Sequence, residues 1–250
     1  CGLADLISLL NMPYESEDSR KLMMDIVAMI NYTSKLESVR LAKERGPFGA
    51  FLVSRYANKK GYIESRYSDV VTNTVTQGMW KSLSEQARIY GIRNITTVAL
   101  PPTGRSALTI DASAGIAPFF SLVEENGEIN ANLEKRLRDL GMLSESLVSE
   151  IKNSGKIPET AEVPEALRNS FKTALDIDPY ASLKMQAALQ RVVDDAISNT
   201  INLKEEVTVK EVELIFMEAY REGLKGITIY RQNSRIRDPK RLARNEKNNI

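Results

Sequence analysis

Histidine is absent from this 250-residue sequence, and cysteine occurs once, as Cys1. The first absence removes the commonest general base and the commonest metal-ligating side chain; the second leaves no internal disulfide and no thiolate metal site. Zincin hydrolysis, a Ser-His-Asp triad and dithiol redox chemistry are therefore excluded for this chain by itself. No apolar run approaches the roughly 20 residues that span a bilayer, and the N-terminus lacks the charged, apolar, small-residue order of a signal peptide. The expected compartment is the cytoplasm, with no membrane partner. An excess of one charge is lacking too, since 34 Lys and Arg face 33 Asp and Glu for a net charge of +1. Nucleic acid has no broad field to follow, and the one cationic concentration, "RIRDPKRLARNEKNNI" at residues 235–250, reads as a solvated basic tail.

What is present suits a globular chain: 42% hydrophobic and 27% charged residues are ordinary values, and a chain this long buries roughly 70–75% of its unfolded surface. Helical spacing puts Leu22, Ile26, Ile30, Leu36 and Val39 on one stripe of a long helix over Glu17–Arg45, capped by Ser16 or Asp18 and stopped by Gly46-Pro47. "GLADLISLL" predicts a shorter helix before it. Trp80, Leu83, Ala87 and Tyr90 predict another, ending at Gly91. "NITTVALPP" is a β-branched run stopped by two prolines, as a buried strand entering a loop would be. Residues 130–170 are charged and broken by Gly141, Gly155, Pro158 and Pro164, which predicts a helical surface insertion of two or three short helices. Further on, "FKTALDI" suits a strand, "SLKMQAALQRVVDDAI" a helix and "SNTINL" an extended segment. Thr208 and Glu211 form a capping box for the next helix, Gly223 ends it, and "GITIYR" follows as a strand. Strands alternating with helices predict a parallel α/β architecture.

The loop "PPTGRSALTIDASAG" at residues 101–115 is the candidate site. Successive N–H groups at a glycine-containing turn into a helix bind phosphate oxygens, Thr103 and Ser106 add hydroxyl donors, and Arg105 adds a charge-assisted bond. Gly104 has no partner in a Walker or Rossmann spacing. On chemistry alone the loop is either an anion cradle or a plain strand-to-helix turn.

"YGIRNITTVALPPTGRSALTIDASAGIAPFF" resembles the segment of ribonucleotide reductase large subunits in which an Arg-Asn pair leads into a strand, a Pro-Thr-Gly loop and a Gly-Ile-x-Pro ending. "GLADLISLLNMPYES", "INYTSKLESVRLAKERGPFGAF", "FKTALDIDPYASLKMQAALQRVVDDAISNTINL" and "GLKGITIYRQNSR" follow the family's order and spacing. The resemblance covers residues 1–234 as one catalytic-barrel domain, weakest from about 52 to 78. It is nearest to the adenosylcobalamin-dependent class II enzymes, because iron-radical enzymes carry two adjacent tyrosines where this chain has Ile229-Tyr230. The resemblance implies the C-terminal half of a ten-stranded α/β barrel, with Thr103, Gly104, Arg105 and Ser106 holding the phosphates of a nucleoside di- or triphosphate. Three positions depart from the usual class II residues: Arg105 replaces a common threonine, Ala117 an acidic residue and Ser182 a frequent histidine.

The family's radical reduction of ribose requires three thiols and an Asn-x-Cys-x-Glu loop, none of which this chain supplies, and Cys1 aligns with none of those thiols. No catalytic residue is therefore assigned. The implied role is a reductase part that is inactive alone, its adenosylcobalamin belonging to the complete enzyme and its N-terminal half being a separate chain or a missing segment. A split subunit, an intein product and a fragment are the ways such a piece arises. Open strand edges imply a partner or homo-oligomer along the seam. The alternative is a non-catalytic nucleotide-binding or scaffold protein derived from the reductase.

Overall fold

Helix α2 (Glu17–Arg45) organises the larger core of this computed structural model, which describes residues 1–70 and 72–234; the basic tail lies outside the described residues. The Ser16 hydroxyl accepts from the Ser19 N–H at 3.0 Å, and Gly46 closes the far end at φ 77° with its N–H on Ala42 O. Both ends fall where the caps in the sequence put them. The buried stripe does not. Of the five apolar residues expected inward only Val39 is fully buried, while Ile30 and Leu36 are exposed and the inward positions are Met23, Val27, Asn31, Lys35 and Ser38. Three polar residues on a buried face defeat an apolar-spacing template, and they are there because each has a partner. Lys35 meets Asp194 and Thr97, Asn31 donates to Tyr67 Oη at 2.9 Å, and Ser38 donates to Asn94 at 2.9 Å.

Before α2 stands α1 (Leu3–Leu9); after it come a 3-10 turn (Phe51–Val53) and three helices, α3 (Arg55–Asn58), α4 (Tyr62–Arg66) and α5 (Gln77–Tyr90). Gly91 ends α5 as expected, at φ 82°. Trp80 on α5 is fully buried, with Tyr67 stacked at 4.3 Å between ring centroids and Tyr32 edge-on at 5.5 Å. Then follow α6 (Gly104–Thr109), α7 (Ala131–Asp139), α8 (Glu145–Ser154), α9 (Glu165–Ser170) and α10 (Pro179–Val192). The stretch from 130 to 170 holds three short helices, as expected, but they are not merely superficial: Leu133, Leu137, Ile151 and Leu167 build a second core around the stacked pair Phe119 and Phe171.

The chain ends its described part as strand β1 (Thr200–Leu203), helix α11 (Val209–Arg221) and strand β2 (Thr228–Arg231), with β1 and β2 parallel and Thr200 opposite Thr228. Thr208 caps α11 through the expected box with Glu211. Leu183, Ile201, Leu203, Ile215 and Ala219 form a third core beneath this unit.

Two expected strands are corrected. "NITTVALPP" makes one parallel bridge, Leu100 to Ile197, and "FKTALDI" one, Phe119 to Thr173. A β-branched run becomes a ladder only when a neighbour takes its N–H and C=O groups in series. Here Val98 O accepts from Asp194 N and Asp195 N, and Leu100 O from Ser198 N, so pairing is confined to one edge and a few residues. After Thr173, a side-chain bond to Asp176 at 2.6 Å folds the chain into a turn instead. Among the described residues the only ladder is β1 with β2, so in place of the expected half of a ten-stranded barrel they show three short parallel segments, 97–100, 197–203 and 228–231, in a helix-rich fold. No helix among the described residues is long and apolar enough to cross a membrane.

Candidate functional site

Leu100 ends its single bridge and the two prolines prevent further pairing, so the chain leaves the parallel segments at Pro101 and turns into α6. Thr103 makes that turn as the N-cap of α6 at φ 45°, a left-handed conformation rare for a β-branched residue. Strain of that kind persists where surrounding bonds impose it. They do so here: the Gly115 N–H donates to Thr103 Oγ1 at 2.7 Å, and Thr103 O accepts from the Ala107 N–H at 2.8 Å.

Because Thr103 Oγ1 faces Gly115, it does not cap α6, and no side chain does. Gly104, Arg105 and Ser106, the first turn of α6, are all exposed. The structure thus gathers the four candidate residues into one turn, with free helix-end N–H groups, one guanidinium and two hydroxyls. The Thr103 hydroxyl uses a lone pair on Gly115 and keeps its proton to donate. This arrangement can bind an anion; it holds no base, no carboxylate pair and no thiol for chemistry.

The residues that fix the loop's return were not singled out from the sequence. Gly2 N donates to Ser113 O at 2.8 Å, and the Ser113 N–H donates to Asp5 Oδ2 at 2.6 Å. The other oxygen of Asp5 accepts from Asn132 Nδ2 at 3.3 Å, linking α1, the loop and α7. Gly115 is buried at φ 54°, and a Cβ there would stand 3.3 Å from Pro102 O. Tyr14 donates to Ile116 O at 2.8 Å from a buried site, and burial pushes its phenol far up. The signal for these was the pairing of "GLAD" with "SAG", which only a contact 108 residues apart reveals. Cys1, next to Gly2, is exposed and free.

The family model "Ribonucleotide reductase, barrel domain" matches residues 1–230. The chain is 32% identical over 241 residues to a vitamin B12-dependent ribonucleoside-diphosphate reductase of Mycobacterium tuberculosis, covering 94% of this chain and 30% of that protein. It is 29% identical to the enzyme of the same name from Thermoplasma acidophilum, over 94% of this chain and 28% of that one. In fold it is similar to the class Id ribonucleotide reductase alpha subunit of Actinobacillus ureae, with a TM-score of 0.71 at 20% identity, over 93% of this chain and 38% of that one. The chain therefore spans about a third of the length of the relatives it matches. With a family model covering all but its last twenty residues, the chain belongs to the ribonucleotide reductase barrel-domain family.

Proposed function

We propose that this chain is the part of a cytoplasmic ribonucleotide reductase barrel that holds the substrate's phosphates, and that Thr103, Gly104, Arg105 and Ser106 bind a nucleoside di- or triphosphate. One observation carries the reading: the first turn of α6 has no side-chain cap, because the hydroxyl that would cap it is taken by Gly115. A phosphate oxygen replaces that cap, and each phosphate in a row gains from the exposed N–H groups and the helix dipole. Arg105 adds a fork of donors suited to a second oxygen. With its phosphates fixed, the nucleotide's ribose is positioned for residues outside this chain.

Those residues are the three thiols and the Asn-x-Cys-x-Glu loop that the family's reaction requires. The chain supplies one cysteine where that reaction needs three, so in this reading it is inactive alone and works with the N-terminal half of a reductase, which also pairs the open edges of its parallel segments. The two relatives named above are B12-dependent, and adenosylcobalamin is the cofactor this reading gives the complete enzyme. The chain has no histidine to offer as an imidazole ligand, and its described residues hold no group of three or more His, Cys, Asp or Glu side chains suited to a free metal ion. No step is assigned to that group.

Titration with a nucleoside diphosphate tests the phosphate role. Saturable binding weakened about tenfold by Arg105→Ala, with folding unchanged, is expected, in line with a hydrogen bond to a charged group. Binding indifferent to both Arg105→Ala and Ser106→Ala overturns the loop assignment. Deoxynucleotide production by the purified chain with adenosylcobalamin and a dithiol overturns inactivity.

A further inference from the structure

The opposite ends of the same parallel segments hold a second recess. Ile95 and Thr96 precede the 97–100 segment, Asp194 the 197–203 segment and Lys225 the strand β2; all three segments are parallel, so these residues share one end. With α3 and α4 they enclose a cleft of about 480 Å³, within the range of small-molecule sites.

Its charge is one-sided. Lys35, Arg55, Arg66 and Lys225 line it against a single carboxylate, Asp194, which Lys35 already neutralises at 2.5 Å. Arg66 gives one bond from each terminal nitrogen, to Arg191 O at 3.3 Å and Val193 O at 3.2 Å, and Lys225 gives one to Asp194 O. Those carbonyls close the C-terminus of α10, yet a guanidinium has five N–H donors and an ammonium three, so most are left for the cleft. Arg55, on the four-residue α3, is exposed. The remaining wall is aromatic: Tyr56 and Tyr62 pack edge to face at 5.0 Å, and the exposed side chains of Val53 and Ile95 form an apolar rim. The wall from Val53 to Tyr67 is supplied by the stretch in which the resemblance to reductases is weakest.

Cations that line one open cleft repel one another, and an anion among them relieves that repulsion. We propose that this cleft binds a small organic anion, a phosphate or carboxylate group carried on an aromatic ring, with the charged group held by Arg55, Arg66 and Lys225 and the ring against Tyr56 and Tyr62. The site is independent of the phosphate loop and stands or falls without it.

Phenyl phosphate, benzoate and phenol titrated into the whole chain, with the ring resonances of Tyr56 and Tyr62 followed by NMR, provide the test. Phenyl phosphate is expected to give saturable shifts at both rings and phenol none at the same millimolar concentration. Benzoate matching phenyl phosphate assigns the site to carboxylates as well, and benzoate failing restricts it to phosphates. Arg55→Gln, which removes no bond seen in the fold, is expected to weaken phenyl phosphate about tenfold, as is Lys225→Gln, while Arg105→Gln leaves it unchanged. Absence of saturable shifts, phenol binding as tightly as phenyl phosphate, or sensitivity to Arg105→Gln with none to Arg55→Gln overturns the proposal. Should Lys225→Gln fail to fold, Arg55→Gln decides alone.

Discussion

Lys35 Nζ, on the buried face of α2, lies 2.5 Å from Asp194 Oδ2, two residues beyond the end of α10, with side chains only 1% and 9% exposed. The carboxylate also accepts from the Thr97 N–H at 2.8 Å and from the Tyr67 hydroxyl at 2.9 Å. One carboxylate thus joins α2, the segment leading to Thr103, and the approach to β1. Desolvating two charges offsets most of their attraction, so the pair adds little net stability, but removing one partner leaves the other buried and unmatched. Asp194→Asn and Lys35→Met are each expected to cost about 3–5 kcal/mol in urea unfolding. The double variant should cost clearly less than their sum, because the second substitution removes the stranded charge.

Acid should release this same tie. Burial alone would push the Asp194 carboxyl up, but Lys35 first, then the Thr97 N–H and the Tyr67 hydroxyl, hold it below the usual carboxylate range. Asp176, against Thr173 and Lys156, and Asp25, against Thr74, are depressed in the same sense. A depressed folded value means the unfolded chain binds more protons in acid, so the contribution is complete above the unfolded pKa of about 3.9 and is lost as pH falls through the folded value. Unfolding free energy measured from pH 7 to 2 should be level above about pH 5 and fall steeply below it. Asp194→Asn should start lower and fall less steeply, Asp25 and Asp176 supplying the remaining slope.

Local signals are the ones that were legible. Ser16 and Gly46 set the ends of α2, Gly91 the end of α5, and Thr208 with Glu211 the start of α11, because a cap is decided by residues three or four apart. The facing of α2 was not legible, since Asn31, Lys35 and Ser38 are inward only through partners at Val192, Asp194 and Asn94, the first two more than 150 residues away. Residues 94–100 carry strand propensity, but a strand is a property of its neighbours, and one bridge at Leu100 is what those residues find. At the candidate site Thr103 to Ser106 stood out by composition, whereas the clamp of Gly2 and Asp5 on Ser113, with Asn132 donating to Asp5, is purely tertiary.

The capping box of α11 offers a test of how much that unit depends on local structure. Thr208 Oγ1 accepts from the Glu211 N–H at 3.3 Å, and the Glu211 carboxylate accepts from the Thr208 N–H at 2.8 Å, which holds that carboxyl below its usual range. Thr208→Ala removes the first bond and loosens the second, for an expected loss of about 1 kcal/mol, whereas Thr208→Ser should be neutral within a few tenths. Hydrogen exchange should report the loss at the first turn of α11 before any change in α2.

Gly115 links the shape of the 101–115 loop to the binding proposed for it, because its backbone serves two purposes at once. Its φ of 54° lies where an L side chain costs roughly 1–2 kcal/mol. An added Cβ would also meet Pro102 O at 3.3 Å and Pro101 O at 3.4 Å, both backbone atoms that must shift. Since the Gly115 N–H holds Thr103 Oγ1, any such shift moves the residue that starts α6. Gly115→Ala is therefore expected to lower stability by about 2 kcal/mol and to weaken nucleoside diphosphate binding although it removes no phosphate donor. Thr103→Val deletes the acceptor and leaves a buried N–H unmatched, at about 1–3 kcal/mol, while Thr103→Ser keeps it. Thermal melts and nucleotide titrations on the three variants separate the loop's shape from its charge: Gly115→Ala with full affinity would mean that the strained turn at Thr103 contributes nothing to binding.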